Sequence, residues 1–270
     1  MIDIDTWGSL DVQGERFLGR LHVAALARGL PTLRLGSHTI MVGPDGADPI
    51  CVSRGIPSHT PTPARALLRE RRAVRRLFAK AGVPHAADAA AADHVLVHQG
   101  EALVSSNPND EAAELACRAV RAIPGLNSAI VELGVQAPSG RVGDSVLTVR
   151  RVRPRLSFEP FERLRPGWAA DLADAFLVHE SHGLATPLNP PEVQVRALVT
   201  FTGGSGAWEP GLADGAARLS VTLEKADDPP YHDPRFVASG SSAAVALLIA
   251  HVCRGTFLDA PPTAAETRPA

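Results

Sequence analysis

Residues 109–154 read NDEAAELACRAVRAIPGLNSAIVELGVQAPSGRVGDSVLTVRRVRP, and the fold expected of the chain follows from their order. Asn109 or Asp110 places a short polar side chain ahead of an apolar-periodic run, Leu115, Ala119 and Val120. That is the pattern of a capped amphipathic helix over 110–123. Pro124-Gly125 turns the chain. Residues 128–135 then read as a strand, Ser139–Gly143 as a Gly-rich hairpin tip, and 145–153 as the returning strand closed by Pro154. The first strand carries one acid, Glu132, and the second carries Arg150, Arg151 and Arg153. Two readings of that exchange of sign stand open. The arginines pair with Glu132 across the hairpin, or they hold a ligand carboxylate or phosphate through bidentate forks.

Upstream, 13–28 sets Phe17, Leu18, Leu21, Ala25 and Leu26 on one helical face, and Gly29 ends it. Short strands follow at 33–35 and 39–42, with a third at 50–53. After a proline-rich lead-in (58–63), a helix is expected over 64–81. Its apolar stripe is Leu67, Leu68, Val74, Leu77 and Phe78, and its other face carries Arg65, Arg69, Arg71, Arg72, Arg75, Arg76 and Lys80. Such a charge run is a solvated face or a surface for phosphate or carboxylate. Gly82-Val83-Pro84 stops the helix. An alanine linker (86–92) leads to a hairpin of 94–98 and 102–105 around Gln99-Gly100.

Downstream, 155–165 reads as irregular, 168–179 as a helix with Pro166 ahead of it, and 186–192 as a linker. Strands are expected over 193–201 and 219–223, with Gly203–Gly206 as the loop between them. Residues 227–234 form a turn region, 239–254 a largely buried helix, and 260–270 a disordered tail. His179 and His182 have an i, i+3 spacing that suits either a metal or a helix C-terminus. Ser239-Gly240-Ser241-Ser242 suits an anion or a helix cap, and Tyr231–Arg235 suits a binding loop or an ordinary turn.

Composition narrows the function. The chain has 270 residues, 45% of them hydrophobic, enough for one large domain or two small ones. A net charge of −2 and 4% aromatic residues point away from nucleic acid. No apolar run reaches the roughly 20 residues of a membrane span. The three widely spaced cysteines and an acidic N-terminus fit a reducing, cytoplasmic setting. The abundance of Ala, Arg, Gly and Pro resembles a GC-rich bacterial proteome.

The order of pieces resembles the ATP-grasp ligases, in particular their cyanophycin-synthetase-like and amino-acid-ligase branches. Ala24–Pro31 with Leu33–Leu35 resembles the family's opening helix and strand, and Arg72–Pro84 (RAVRRLFAKAGVP) its helix ending in a GVP turn. Ala119–Pro154 resembles its helix and metal-binding hairpin, with Glu132 at the first metal-binding acid and Arg151-Val152-Arg153-Pro154 where the family writes E-V-N-P. The resemblance implies an α/β (α+β) fold with a truncated ATP-grasp-like core and a β-rich C-terminal region ending in a helix. It divides the chain into 1–60, 61–185, 186–259 and a tail at 260–270. It implies an ATP-dependent, magnesium-dependent joining of a carboxylate to an amine, with Glu132 catalytic and Arg150, Arg151 and Arg153 on the substrate. The sequence departs from the family at the nucleotide lobe, for which the span from Pro84 to Asp110 leaves room only for a hairpin. No lysine occurs between Gly82 and Glu224. Guanidinium groups also replace the oxygen ligands that magnesium requires. The cofactor therefore stays open, no metal is assigned, and the alternative is a non-catalytic relative. Such a protein binds a small anion or serves as a partner subunit, in homo-oligomeric or mixed assemblies, without nucleic acid or membrane.

Overall fold

The computed structural model describes residues 15–106, 109–136, 146–203, 209–226, 233–255 and 261–270. In chain order the elements begin with α1 (Glu15–Ala27), β1 (Thr32–Leu35), β2 (Thr39–Val42), β3 (Ile50–Ser53), β4 (Ile56–Pro57), α2 (Thr62–Arg69) and α3 (Arg71–Lys80). They continue with β5 (Ala90–His98), β6 (Glu101–Ser105), α4 (Asp110–Arg121), β7 (Ser128–Gln136), β8 (Val146–Arg153), α5 (Glu159–Leu164) and α6 (Trp168–Glu180). The last are β9 (Gln194–Thr202), α7 (Glu209–Arg218), β10 (Thr222–Lys225), β11 (Arg235–Ser241), α8 (Ser242–Arg254) and β12 (Ala264–Pro269). Helices and antiparallel sheets together make an α+β fold, the class expected from the sequence. Two compact units divide it: residues 1–55 with 173–270, and residues 56–172. The expected pieces 1–60 and 186–259 thus fall largely into one unit, because strands from both chain ends share a sheet.

In the first unit the strand order is β10-β11-β9-β12-β1-β2-β3. Helix α8 is apolar on nearly every side and is buried along its length. It packs Val245, Leu248, Ile249 and Val252 into one core with Val199 and Phe201 of β9 and Ala265 of β12. Ser241 caps it, its Oγ accepting from Ala244 N–H at 3.1 Å, and Gly255 closes it in the left-handed conformation at φ +75°. The expected helix start at Ser239 is corrected, since 239–241 complete β11.

The C-terminal tail is the largest correction. Residues 264–269 are not disordered but form β12, hydrogen-bonded to β1 on one side and β9 on the other. Ala265 and Thr267 face inward and are fully buried. The two open strand edges impose the strand, and a composition of Ala, Glu, Thr, Arg and Pro does not announce it. Helix α7 fills residues 209–218, between the expected glycine loop and the expected strand, where the sequence reading placed no element. It forms despite Gly211 and Gly215, with Leu212 and Ala216 buried in the α8 core.

In the second unit the sheet order is β6-β5-β7-β8, all antiparallel, with α4 across one face. Asn109 caps α4, accepting from Glu111 N–H at 2.9 Å. Leu115, Ala119 and Val120 pack on Val95, Val97, Val131, Leu133, Val149 and Val152. The hairpin around Gln99-Gly100 forms with both residues at positive φ, 48° and 85°. Three expectations change here. The 64–81 helix breaks at Glu70 (φ −90°, ψ 83°) into α2 and α3. The alanine linker is partly strand, because Ala90 and Ala91 pair with β7. Residues 159–164 of the irregular segment form α5, with Phe158 and Phe161 buried. The expected hairpin tip at Ser139–Gly143, residues 204–206 of the glycine loop, and Tyr231 and His232 lie outside the described residues.

Candidate anion-binding site

The register of β7 and β8 builds the site. Glu132 lies opposite Arg151 and Leu133 opposite Val149, so Arg150 is an extra residue in a β-bulge. Val149 and Val152 both enter the α4-side core. Arg150 and Arg151 therefore both occupy the opposite face, where Arg153 joins them by alternation. Glu132 stands between the core residues Val131 and Leu133, so its carboxylate is on that same face. His94 of β5 faces it from the other side in register. The structure thus brings all four sequence-selected residues together and adds His94.

The charges are partly matched. Glu132 is paired with Arg153, through Oε1 and Nη2, and its side chain is 11% exposed against 49% for the arginine. The sequence left pairing and ligand binding as alternatives for the arginines, and the fold divides them. Arg153 is taken by Glu132, while Arg151 is exposed and without an ion pair among the described residues. Arg150 is half-buried, and its Nε is sealed from solvent without a hydrogen-bond partner among the described residues. Its side chain lies flat over Gly134, where an added Cβ would stand 2.6 Å from Arg150 Cδ and 2.6 Å from Ala90 O. Glycine is required there for the arginine to lie down. Gly134→Ala is expected to cost about 1–3 kcal/mol by overpacking and to lift Arg150 off the sheet. Urea denaturation measures the first effect and loss of anion binding the second.

His94 is held neutral near pH 7. Burial is the main cause of its lowered pKa; Glu132 and Asp93 oppose the shift, and Arg153 and Arg150 reinforce it. With Glu132 ionised, the four charged side chains sum to +2. Magnesium does not fit this face: the one carboxylate is held by a guanidinium, and two further guanidinium groups flank it. Asp93, beside His94, has a structural task. It accepts from Ser105 Oγ at 2.7 Å, from His94 N–H at 2.6 Å and from Ser106 Oγ, tying the bulged β5 to the end of β6.

The other sequence candidates separate. Neither His179 nor His182 belongs to a group of three closely spaced ligand atoms among the described residues. Ser241 is accounted for as a cap. The three thiols are free and their pKa values are raised by burial, Cys253 to about 11, which removes a thiolate nucleophile. One polar cluster escaped the sequence. Ser128 Oγ lies 2.6 Å from His98 Nδ1 and 2.9 Å from His59 Nε2. A hydroxyl has one proton, so it donates to at most one of the two rings and can accept N–H from the other. His59 and His98 are far apart in sequence and belong to no local motif; only the β5–β7 register opposes His98 to Ser128.

Compared with known proteins, the chain matches no family model and no curated protein sequence. Among the described residues no helix is long and apolar enough to cross a membrane.

Proposed function

We propose that this chain is a non-catalytic binder of a small organic anion, a carboxylate of amino-acid-like size, on the arginine face of the β7–β8 hairpin. The observation that carries the reading is Arg150. Its Nε is sealed from solvent without a hydrogen-bond partner among the described residues, beside an exposed Arg151 and a carboxylate already neutralised by Arg153. A buried polar group without a partner is costly, and a ligand oxygen supplies the missing acceptor. Glu132 then positions Arg153 and does no chemistry. The ATP-dependent ligation implied by the family resemblance is the less favoured reading, because Glu132 has no freedom to hold a cation. Three free thiols support a reducing, cytoplasmic setting.

Calorimetry with glutamate, succinate and inorganic phosphate, each without magnesium, tests the reading. At least one is expected to bind. Arg151→Glu, an exposed substitution, is expected to weaken it by about tenfold or more, the loss of a charge-assisted pair. Undiminished binding by that variant removes the site, and magnesium-dependent product formation from ATP, a carboxylate and an amine restores the ligase.

A further inference from the structure

We infer that the outer surface of α2 and α3 is a docking face for a short acidic segment of a partner protein, rich in Asp and Glu. Residues 62–81 hold seven cations, Arg65, Arg69, Arg71, Arg72, Arg75, Arg76 and Lys80, against one acid, Glu70. All but Arg65 are exposed. None makes an ion pair with any described residue.

Solvation alone does not account for where these charges stand. Like charges recur four residues apart at 65/69, 71/75, 72/76 and 76/80, a spacing that destabilises a helix. Neither helix has an acid in its first turn, and Arg71 and Arg72 open α3 at the end where positive charge opposes the helix dipole. Helix α4 of the same unit is an internal contrast. It carries Asp110 and Glu111 in its first turn and Arg118 and Arg121 in its last, as the dipole favours. The charges of α4 serve the helix at both ends, whereas α3 opens on Arg71 and Arg72 against the dipole and is favoured only by Lys80 in its last turn. The inner side of the pair is fixed by Ala64, Val74 and Phe78 in the core, so the cations cannot turn inward.

The chemistry of the face selects the occupant. None of the exposed large hydrophobic residues lies on α2 or α3, so there is neither a wedge for a bilayer nor a platform for stacked bases. The patch is short: helices of 8 and 10 residues are about 12 and 15 Å long. Residues 62–81 sum to +6 of a total of −2, which leaves −8 for the remainder of the chain. A nucleic acid or an anionic membrane extends past a patch of this length, whereas an acidic segment of about ten residues ends with it. Arginine forks suit carboxylates directly.

A fluorescent twelve-residue poly-glutamate peptide is the probe, titrated by anisotropy into the full chain at physiological ionic strength. Saturable binding is expected, weakening steeply as salt rises. The triple variant Arg72→Glu, Arg75→Glu, Arg76→Glu is expected to lose at least about tenfold in affinity. Its melting temperature is expected to be unchanged or higher, because like-charge repulsion in α3 is relieved. Arg118→Glu on α4 serves as control and is expected to bind as the parent does. The proposal is overturned by absence of peptide binding, by equal loss in the α4 control, or by tighter binding of a 20-base-pair DNA duplex or of phosphatidylserine vesicles. Failure here leaves the β7–β8 anion site intact, since that site is read with small anions and Arg151→Glu.

Discussion

A chain ending at residue 263 is expected to lose the fold of the first unit. The seven residues removed contain β12, an interior strand hydrogen-bonded to β1 through Thr267, Glu266, Ala265 and Ala264 and to β9 over six residue pairs. At about 1 kcal/mol per net hydrogen bond, the backbone bonds of six residues alone approach the 5–15 kcal/mol that holds an ordinary domain together. Two further losses add to this. Ala265 leaves the α8 core, and β1 and β9 are left as bare edges open to intermolecular pairing. Urea unfolding followed by far-ultraviolet circular dichroism, with solubility on expression, reads the result. A truncated protein with the parent's cooperative transition contradicts the assignment of β12. The same truncation is harmless if 264–270 is the loose tail that its composition suggests, so the outcome separates the two descriptions.

Stability is expected to fall as pH drops from about 6.5 toward 3, and His22 is the main cause. Its ring is fully buried in α1, and its pKa is lowered from 6.5 to about 3, chiefly by burial and secondarily by the charge of Arg34. Above 6.5 the ring is neutral in both folded and unfolded chains and costs nothing. Between 6.5 and 3 only the unfolded chain takes up the proton. Each pH unit in that window therefore favours unfolding by about 1.4 kcal/mol, approaching 4–5 kcal/mol in total. Nε2 of His22 lies 3.1 Å from Thr32 Oγ1, which in turn contacts Thr267 Oγ1 of β12, while Nδ1 has no hydrogen-bond partner among the described residues. Protonation thus places a second charge near Arg34 with one hydrogen-bonding partner. Unfolding free energies at several pH values, for the parent and for His22→Gln, test this. The variant is expected to show a shallower acid slope by about one proton. His85, His94 and His251, whose pKa values burial also lowers, keep a residual slope in both. An identical slope in parent and variant rejects the assignment to His22.

The sequence made the hairpin and its chemistry legible to different extents. Alternating apolar residues located β7 and β8 within two residues, and Asn109 marked the start of α4. These are local signals, carried by residues that bury one face and solvate the other. The presence of Glu132 among arginines was legible too. The division of labour was not, because it depends on the bulge at Arg150 and on the gap over Gly134. One residue of slip changes which arginine faces the acid, and periodicity does not specify register to that precision.

What the sequence determined by itself was the α+β class, the helices that carry their own amphipathic stripe and cap, the strands with period-two burial, and the opposition of Glu132 to three arginines. What only the tertiary structure decided was β12, α7, the break between α2 and α3, the pairing of Arg153 with Glu132, and the meeting of His59, Ser128 and His98. The physical reason is common to these. A strand between two open edges, a glycine-bearing helix pressed on a core, and a contact set by β-sheet register draw their stability from residues distant in the chain. A reading by neighbours along the sequence does not contain that energy.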